Sequence, residues 1–183
     1  MELPLGLRKV SLNTERTQIS PLQLEDSAFF LKLVNTPGWL RFIGDRGISS
    51  EPQAREFLQT AFLNSLELNG FGYDIVRLID GSEPVGICGF LKKPELQNPD
   101  FGFAFLPDHC GRGLATEACQ AVLKSGVREF GFTVVDAVTM EENHRSIHLL
   151  ERLGFEAAGA VSFSCDKEPL LLFRQSFPQA KTG

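Results

Sequence analysis

The chain has 183 residues, 23 of them acidic and 18 basic, for a net charge of −5, and 43% of them are apolar. That suits one domain with a sizeable core, and the lack of any clustered basic run argues against a nucleic-acid partner. No apolar stretch reaches the ~20 residues of a membrane span, Met1 to Val10 holds Glu2, Pro4 and Lys9 where a leader needs an apolar core, and Cys88, Cys110, Cys119 and Cys165 show no C-x-x-C or zinc spacing, so a cytoplasmic protein with no metal and no membrane partner is expected.

In chain order, residues 1–13 are polar and read as a loose lead-in, 14–177 as one domain and 178–183 as a tail. Thr17 to Leu24 suits a first strand, interrupted at Pro21 as an edge strand tolerates. Asp26 or Ser27 caps a helix with Phe29, Phe30, Leu33 and Val34 at helical spacing, stopped by Pro37-Gly38. Trp39 to Ser50 reads as a loop, and Ser50 caps a helix over Glu51 to Leu68 with Pro52 in its first turn. Tyr73–Ile79 and Pro84–Leu91, joined through Asp80-Gly81, form the clearest hairpin signal.

The stretch Phe101 to Ala118, FGFAFLPDHCGRGLATEA, then places an apolar strand before a break at Pro107, a glycine turn and a helix over Leu114 to Phe130. Small residues at Ala115, Ala118, Cys119 and Gly126 let that helix lie close to a sheet. Thr133 to Met140 is a strand, Asn143 to Leu153 a helix with Asn143 as N-cap and Gly154 as its left-handed stop, and Phe155–Ser164 and Pro169–Phe177 close the chain as strands. The order β-α-α-β-β-β-α-β-α-β-β implies an α/β fold whose mixed sheet carries helices on both faces.

The glycine turn is where chemistry is expected. The first N–H groups of a helix lack internal partners and carry the positive end of its dipole, so a phosphate can accept several of them. Gly111 and Gly113 permit unusual φ and close approach. No Gly-Lys-Ser/Thr ending makes this a Walker loop, and Thr116 stands where a dinucleotide fingerprint has its third Gly or Ala.

Two segments together resemble the Gcn5-related N-acetyltransferase (GNAT) superfamily. Cys110-Gly111-Arg112-Gly113-Leu114-Ala115 is similar to its cofactor motif, Gln/Arg-x-x-Gly-x-Gly/Ala, and Asn143-x-x-Ser146 with Leu149 to Phe155 is similar to its second signature. Thr14-Glu15-Arg16, Pro21-Leu22 and Gly-Arg-Gly-Leu-Ala-Thr-Glu-Ala look most like the branch of the ribosomal-protein-alanine N-acetyltransferases, RimJ/RimL-like. The resemblance implies the family's acyl-CoA N-acyltransferase fold, about seven strands with splayed central strands, and acetyl-CoA as cosubstrate with a protein N-terminus or small-molecule amine as acceptor. It implies pyrophosphate on the amides of Gly111 to Ala115, with Cys110, Arg112 and Thr116 beside them, and pantetheine along Phe103 to Leu106, where an N–H near Phe105 or Leu106 holds the thioester oxygen.

The catalytic roles follow less directly. Leu150 stands where many members carry a Tyr that protonates the leaving thiolate, so Ser146, one turn earlier, is the candidate acid. Asp100, at the start of the central strand, is the first candidate base, with Glu141 and Glu142 behind it. Asn143 serves as helix cap, as a contact to the pantetheine or acceptor, or as both, and Trp39 and Phe42 are candidates to line the acceptor pocket. A domain that keeps the CoA cradle without turnover is the alternative, and the sequence leaves monomer and homodimer both open.

Overall fold

The alternation of apolar residues along the strands sorts side chains into two cores. A computed structural model describes residues 11–164 and 168–178. Its eight-stranded mixed sheet runs in the order β1-β2-β3-β4-β5-β6-β8-β7, with β1 Leu12–Asn13, β2 Thr17–Pro21, β3 Tyr73–Leu78, β4 Pro84–Leu91, β5 Asp100–Phe105, β6 Val134–Thr139, β7 Glu156–Val161 and β8 Leu170–Ser176. Helices α1 Ser27–Val34, α2 Pro37–Phe42, α3 Glu51–Phe57 and α4 Asn64–Asn69 precede β3, α5 Leu114–Phe130 follows β5, and α6 His144–Leu153 follows β6.

On β5, Phe101, Phe103 and Phe105 belong to the core under α5 and α6, whereas Ala104, and Leu106 just past the strand's end, belong to the core under α1 and α3. The two-residue period of a strand is the cause. Gly126 brings α5 onto the sheet: a Cβ there would lie 2.6 Å from Phe90 Cζ and 3.1 Å from Phe132 Cδ2.

The long helix after β5 spans Leu114 to Phe130 as expected, and Asn143 caps α6 with Gly154 left-handed at its end. The mixed sheet of about seven strands is seen with eight, as Leu12 and Asn13 pair with Ile19 and Gln18; the rest of the expected lead-in and tail, 1–10 and 179–183, lies outside the described residues, as does Cys165. Two expectations need correction. Pro37-Gly38 starts a helix rather than only ending one: Thr36 Oγ1 accepts the N–H of Trp39 and Pro37 occupies the first turn, where its missing N–H costs nothing. The helix from Glu51 is interrupted by a π-helical segment, Leu58–Leu63. Within it Phe62 stands edge-on to Phe30, Phe57 and Tyr73. No helix among the described residues is long and apolar enough to cross a membrane.

β5 and β6 run parallel but pair at one position, Asp100 with Asp136, and separate beyond it. On their outer sides both are fully paired: β5 with β4 from Asp100 to Phe105, and β6 with β8 from Val134 to Thr139. The sheet is thus forked, with its vertex at two aspartates and its open end toward Phe105 and Thr139.

The packing of α5 gives a direct test. Alanine favours a helix over glycine by about 1 kcal/mol, yet in Gly126→Ala the new methyl meets Phe90, which is 1% exposed and has no room to yield. Overpacking of this kind costs about 1–3 kcal/mol, so a lower urea midpoint at unchanged m-value is expected. A higher midpoint would show that helix propensity, and not this contact, governs the position.

Candidate functional site

The open end of the fork leads into the glycine turn. After Leu106 a short helical turn, Pro107–His109, brings the chain round, and Gly111 and Gly113 take φ of +75° and +79°. Both lie in the left-handed region that a side chain resists. Gly113 is the N-cap of α5 and offers no capping side chain. The first intrahelical bond runs from the Glu117 N–H to Gly113 O, so the N–H groups of Leu114, Ala115 and Thr116 precede it and face outward from the helix end. Leu114 buries its side chain while Gly111, Arg112 and Gly113 are exposed. Seventeen aligned peptide units place partial positive charge at this point.

The fork sets which backbone groups of β5 are free. Leu106 donates its N–H to Val85 O at 2.9 Å and its carbonyl accepts the N–H of His109. By the two-residue alternation of an antiparallel ladder, Ala104 also turns to β4, whereas Phe103 and Phe105 turn their N–H and C=O toward the gap. Of the predicted stretch Phe103 to Leu106, the groups directed into the fork are therefore those of Phe103 and Phe105.

The start of α6 faces the same region. Asn143 Oδ1 accepts the N–H of Ser146 at 3.3 Å, and Ser146 lies half-buried in the first turn. Arg145 acts electrostatically on Cys110: burial pushes the thiol up, and the guanidinium partly opposes this. A thiol held protonated fits Cys110 as a turn residue. Leu150 is 1% exposed and belongs to the core between α6 and the sheet, and its aliphatic side chain has no proton to give.

Asp100 sits at the fork's vertex. It is 3% exposed, its Oδ2 meets Lys93 Nζ at 2.7 Å, and its Oδ1 is buried without a hydrogen-bond partner. Burial raises its pKa, and the nearby Asp136 adds to this, against the opposing charge and hydrogen bond of Lys93. Asp136 is fully buried and satisfied by Arg174 Nε at 2.7 Å, Arg174 Nη2 at 3.1 Å and Asn98 Nδ2 at 3.1 Å. Trp39 is 6% exposed and packs edge-on against Phe30 at 5.7 Å, with its indole N–H buried and unpartnered. Phe42 is half-buried under the Arg41 guanidinium at 4.9 Å. The structure thus brings together the glycine turn, Phe103, Phe105 and the start of α6. It puts Asp100 at the inner end of the fork and Trp39 in the helical core beside β5 rather than in an open wall.

Two features escaped the residue patterns. Tyr73 lies across the sheet on β5, where a Cβ on Gly102 would overlap its hydroxyl; burial, then Asp100, push its phenol well up, so it stays protonated. The other is the environment of Glu117, in the first turn of α5. Its carboxylate accepts from Arg16 Nε at 2.7 Å, from the Arg16 N–H at 2.8 Å and from the Thr14 hydroxyl. Thr14 and Arg16 stood out in the sequence only as wording, and no local signal couples them to a residue about a hundred positions away.

Comparison with known proteins fits this geometry. The family model described as an acetyltransferase (GNAT) domain matches residues 16–156. The uncharacterized N-acetyltransferase p20 of Bacillus licheniformis is 27% identical over 153 residues, 82% of this chain and 85% of that one. A GnaT-family acetyltransferase from Bordetella pertussis superposes with a TM-score of 0.77 at 26% identity, covering 92% of this chain and all of that one. The ribosomal L7/L12 α-N-protein acetyltransferase RimL, solved in complex with coenzyme A, shares the fold with a TM-score of 0.75 at 15% identity, over 95% of this chain and 97% of that one. A forked sheet that opens onto a glycine turn and a helix N-terminus, in a chain matched over most of its length, places this protein in the GNAT acetyltransferase family.

Proposed function

We propose that this protein transfers the acetyl group of acetyl-CoA directly to a primary amine, a protein N-terminus or a small-molecule amine, with both substrates bound at once. The observation that carries the reading is the fork. Phe103 and Phe105 leave strand-edge groups free, and the gap between β5 and β6 ends at the amides of α5. An extended, amide-bearing arm that ends in a pyrophosphate matches both halves, and RimL, of the same fold, was solved with coenzyme A.

In this reading Gly111 to Ala115 hold the pyrophosphate through backbone N–H groups, with Cys110, Arg112 and Thr116 beside them. Phe103, Phe105 and Leu106 wall the pantetheine arm, and Asn143 contacts it at the start of α6. When bound, acetyl-CoA supplies an activated acyl thioester. The Phe105 N–H, directed into the fork, would offset the negative charge that the acyl oxygen gains. Asp100, the candidate base, lies at the inner end of the fork, roughly 16 Å along an extended strand from Phe105, and takes the proton of the attacking amine through a relay of waters. Ser146, directly or through water, passes a proton to the thiolate and recovers one from solvent, a modest demand because a free thiol has a pKa of about 8.5. Phe42 borders the acceptor, and Trp39 supports that wall from the core. A second reading, a CoA-binding domain without turnover, rests on one observation: Leu150 fills a core site and brings no acid to the fork.

Melting curves test the binding half. Acetyl-CoA and CoA are expected to raise the melting temperature, by about 2.7 kcal/mol of stabilisation at a hundredfold excess over Kd, while ATP and NAD leave it unchanged. No shift with either thioester or thiol would sink the reading.

Thiol release from acetyl-CoA over a panel of amines tests the transfer half, and binding without release for any of them favours the second reading. With an accepted amine in hand, Asp100→Asn is expected to lower kcat/KM by about a hundredfold or more. The base must be ionised and its pKa is raised, so wild-type activity should fall as pH drops through that raised value. In Asp100→Asn this acid limb should vanish, and a limb that persists unchanged assigns the base elsewhere.

A further inference from the structure

The first turn of α5 holds an apparent contradiction. It is the end expected to hold a pyrophosphate, yet it carries Glu117. A free carboxylate there would repel the anion and compete for the same positive end of the helix. The structure shows what is done with this charge. Arg16 Nε and Nη2 both lie 2.7 Å from Glu117 Oε2, and the Arg16 N–H and the Thr14 hydroxyl bond to Oε1. Both carboxylate oxygens are committed to the β1–β2 turn. Burial alone would push the Glu117 carboxyl up, but the bonds from Thr14 and Arg16 and the guanidinium charge outweigh it and hold it below the usual range.

The same guanidinium grips the glycine turn itself. Arg16 Nη1 donates to Arg112 O at 2.8 Å. In a trans peptide the C=O and the next N–H point in opposite directions, so fixing Arg112 O toward Arg16 aims the Gly113 N–H away from it. Glycine suits 113: φ is +79°, which strains other residues, and a Cβ would lie a tight 3.3 Å from Arg16 Nη2. One arginine therefore neutralises the helix's first-turn acid and sets the direction of the first amide. Arg16, Leu78, Asp80, Arg112 and Leu114 line an open depression on this side of the turn.

We propose that Arg16, with Glu117 and Thr14, is a positioning clamp that presets the Gly113 to Ala115 amides for the pyrophosphate of CoA. This rests on the acetyl-CoA reading above. The three residues touch no reacting atom in it. They act through the cradle, by orienting a peptide and by keeping a carboxylate from facing the anion. The clamp joins β1–β2, at the start of the sheet, to a helix that begins about a hundred residues later.

Calorimetric titration with CoA, and with S-acetylpantetheine, which lacks the pyrophosphate, tests this without knowledge of the acceptor. Arg16→Ala is expected to weaken CoA binding roughly ten- to hundredfold, the range of a lost charge-assisted hydrogen bond, and to leave S-acetylpantetheine binding unchanged. Arg16→Lys keeps the charge but not the fork of donors, so it should fall between Arg16→Ala and wild type. In Arg16→Ala the Glu117 charge is released; adding Glu117→Gln should recover part of the lost affinity. Equal CoA affinity in wild type and Arg16→Ala would overturn the clamp and leave the cradle standing. Parallel loss of both ligands, or a double variant weaker than Arg16→Ala, would also overturn it, because both mark general damage. A wild-type chain that fails to bind CoA would instead overturn the reading beneath.

Discussion

The structure depends on one broken ladder. A parallel pair of strands inside a sheet normally shares bonds along its whole length, since buried N–H and C=O groups are costly to leave unpaired. Here β5 and β6 share a single pairing, Asp100 with Asp136, and then part. The separation is sustained because each strand is satisfied elsewhere, β5 by β4 and β6 by β8. The sheet behaves as two halves, β1 to β5 and β6-β8-β7, joined at one vertex. The core under α5 and α6 takes Phe90 and Phe101 from one half and Val135, Ala137 and Phe173 from the other, so packing on that face holds the halves together while the edge groups between them stay open.

The vertex shows how such a junction is stabilised. Two aspartates lie side by side in the interior, each with its own cation, and they are not equivalent. Arg174 and Asn98 satisfy Asp136 on both oxygens, which ties β6 to β8 and to the loop before β5. Asp100 has Lys93 on one oxygen and nothing on the other. A fully bonded carboxylate is structural. On Asp100 one buried oxygen stays free and burial pushes the carboxyl's pKa up, and the role proposed for it rests on these two features. The far end of the fork is organised by the opposite charge balance, where helix amides face outward and Arg16 draws the nearby acid to one side.

Much of this was legible in the residues. The spacing of apolar positions, Gly154 as a stop, Asn143 as a cap and the Asp80-Gly81 turn marked α5, α6 and the β3–β4 hairpin, because each signal acts within a turn or two of its own position. The glycine turn was legible for the same reason, since left-handed φ at Gly111 and Gly113 is a property of the local backbone. The helix at Pro37 was missed because Pro-Gly punctuates a chain in two ways, and only the Thr36 cap, seen in three dimensions, decides between them. The burial of Trp39 against Phe30 follows from how α1 and α2 pack, which no spacing along the chain shows.

The sequence by itself determined most of the elements and the place of the glycine turn, since these follow from backbone geometry and residue periodicity over short spans. Tertiary structure decided what lies between elements. It determined that β5 and β6 part after Asp100, that the Leu106 N–H is spent on Val85 while Phe103 and Phe105 stay free, and that Arg16 meets Glu117. Such contacts form only when the whole sheet has closed around them, and no residue carries within its own neighbourhood the register of a strand or the partner of a charge a hundred positions away.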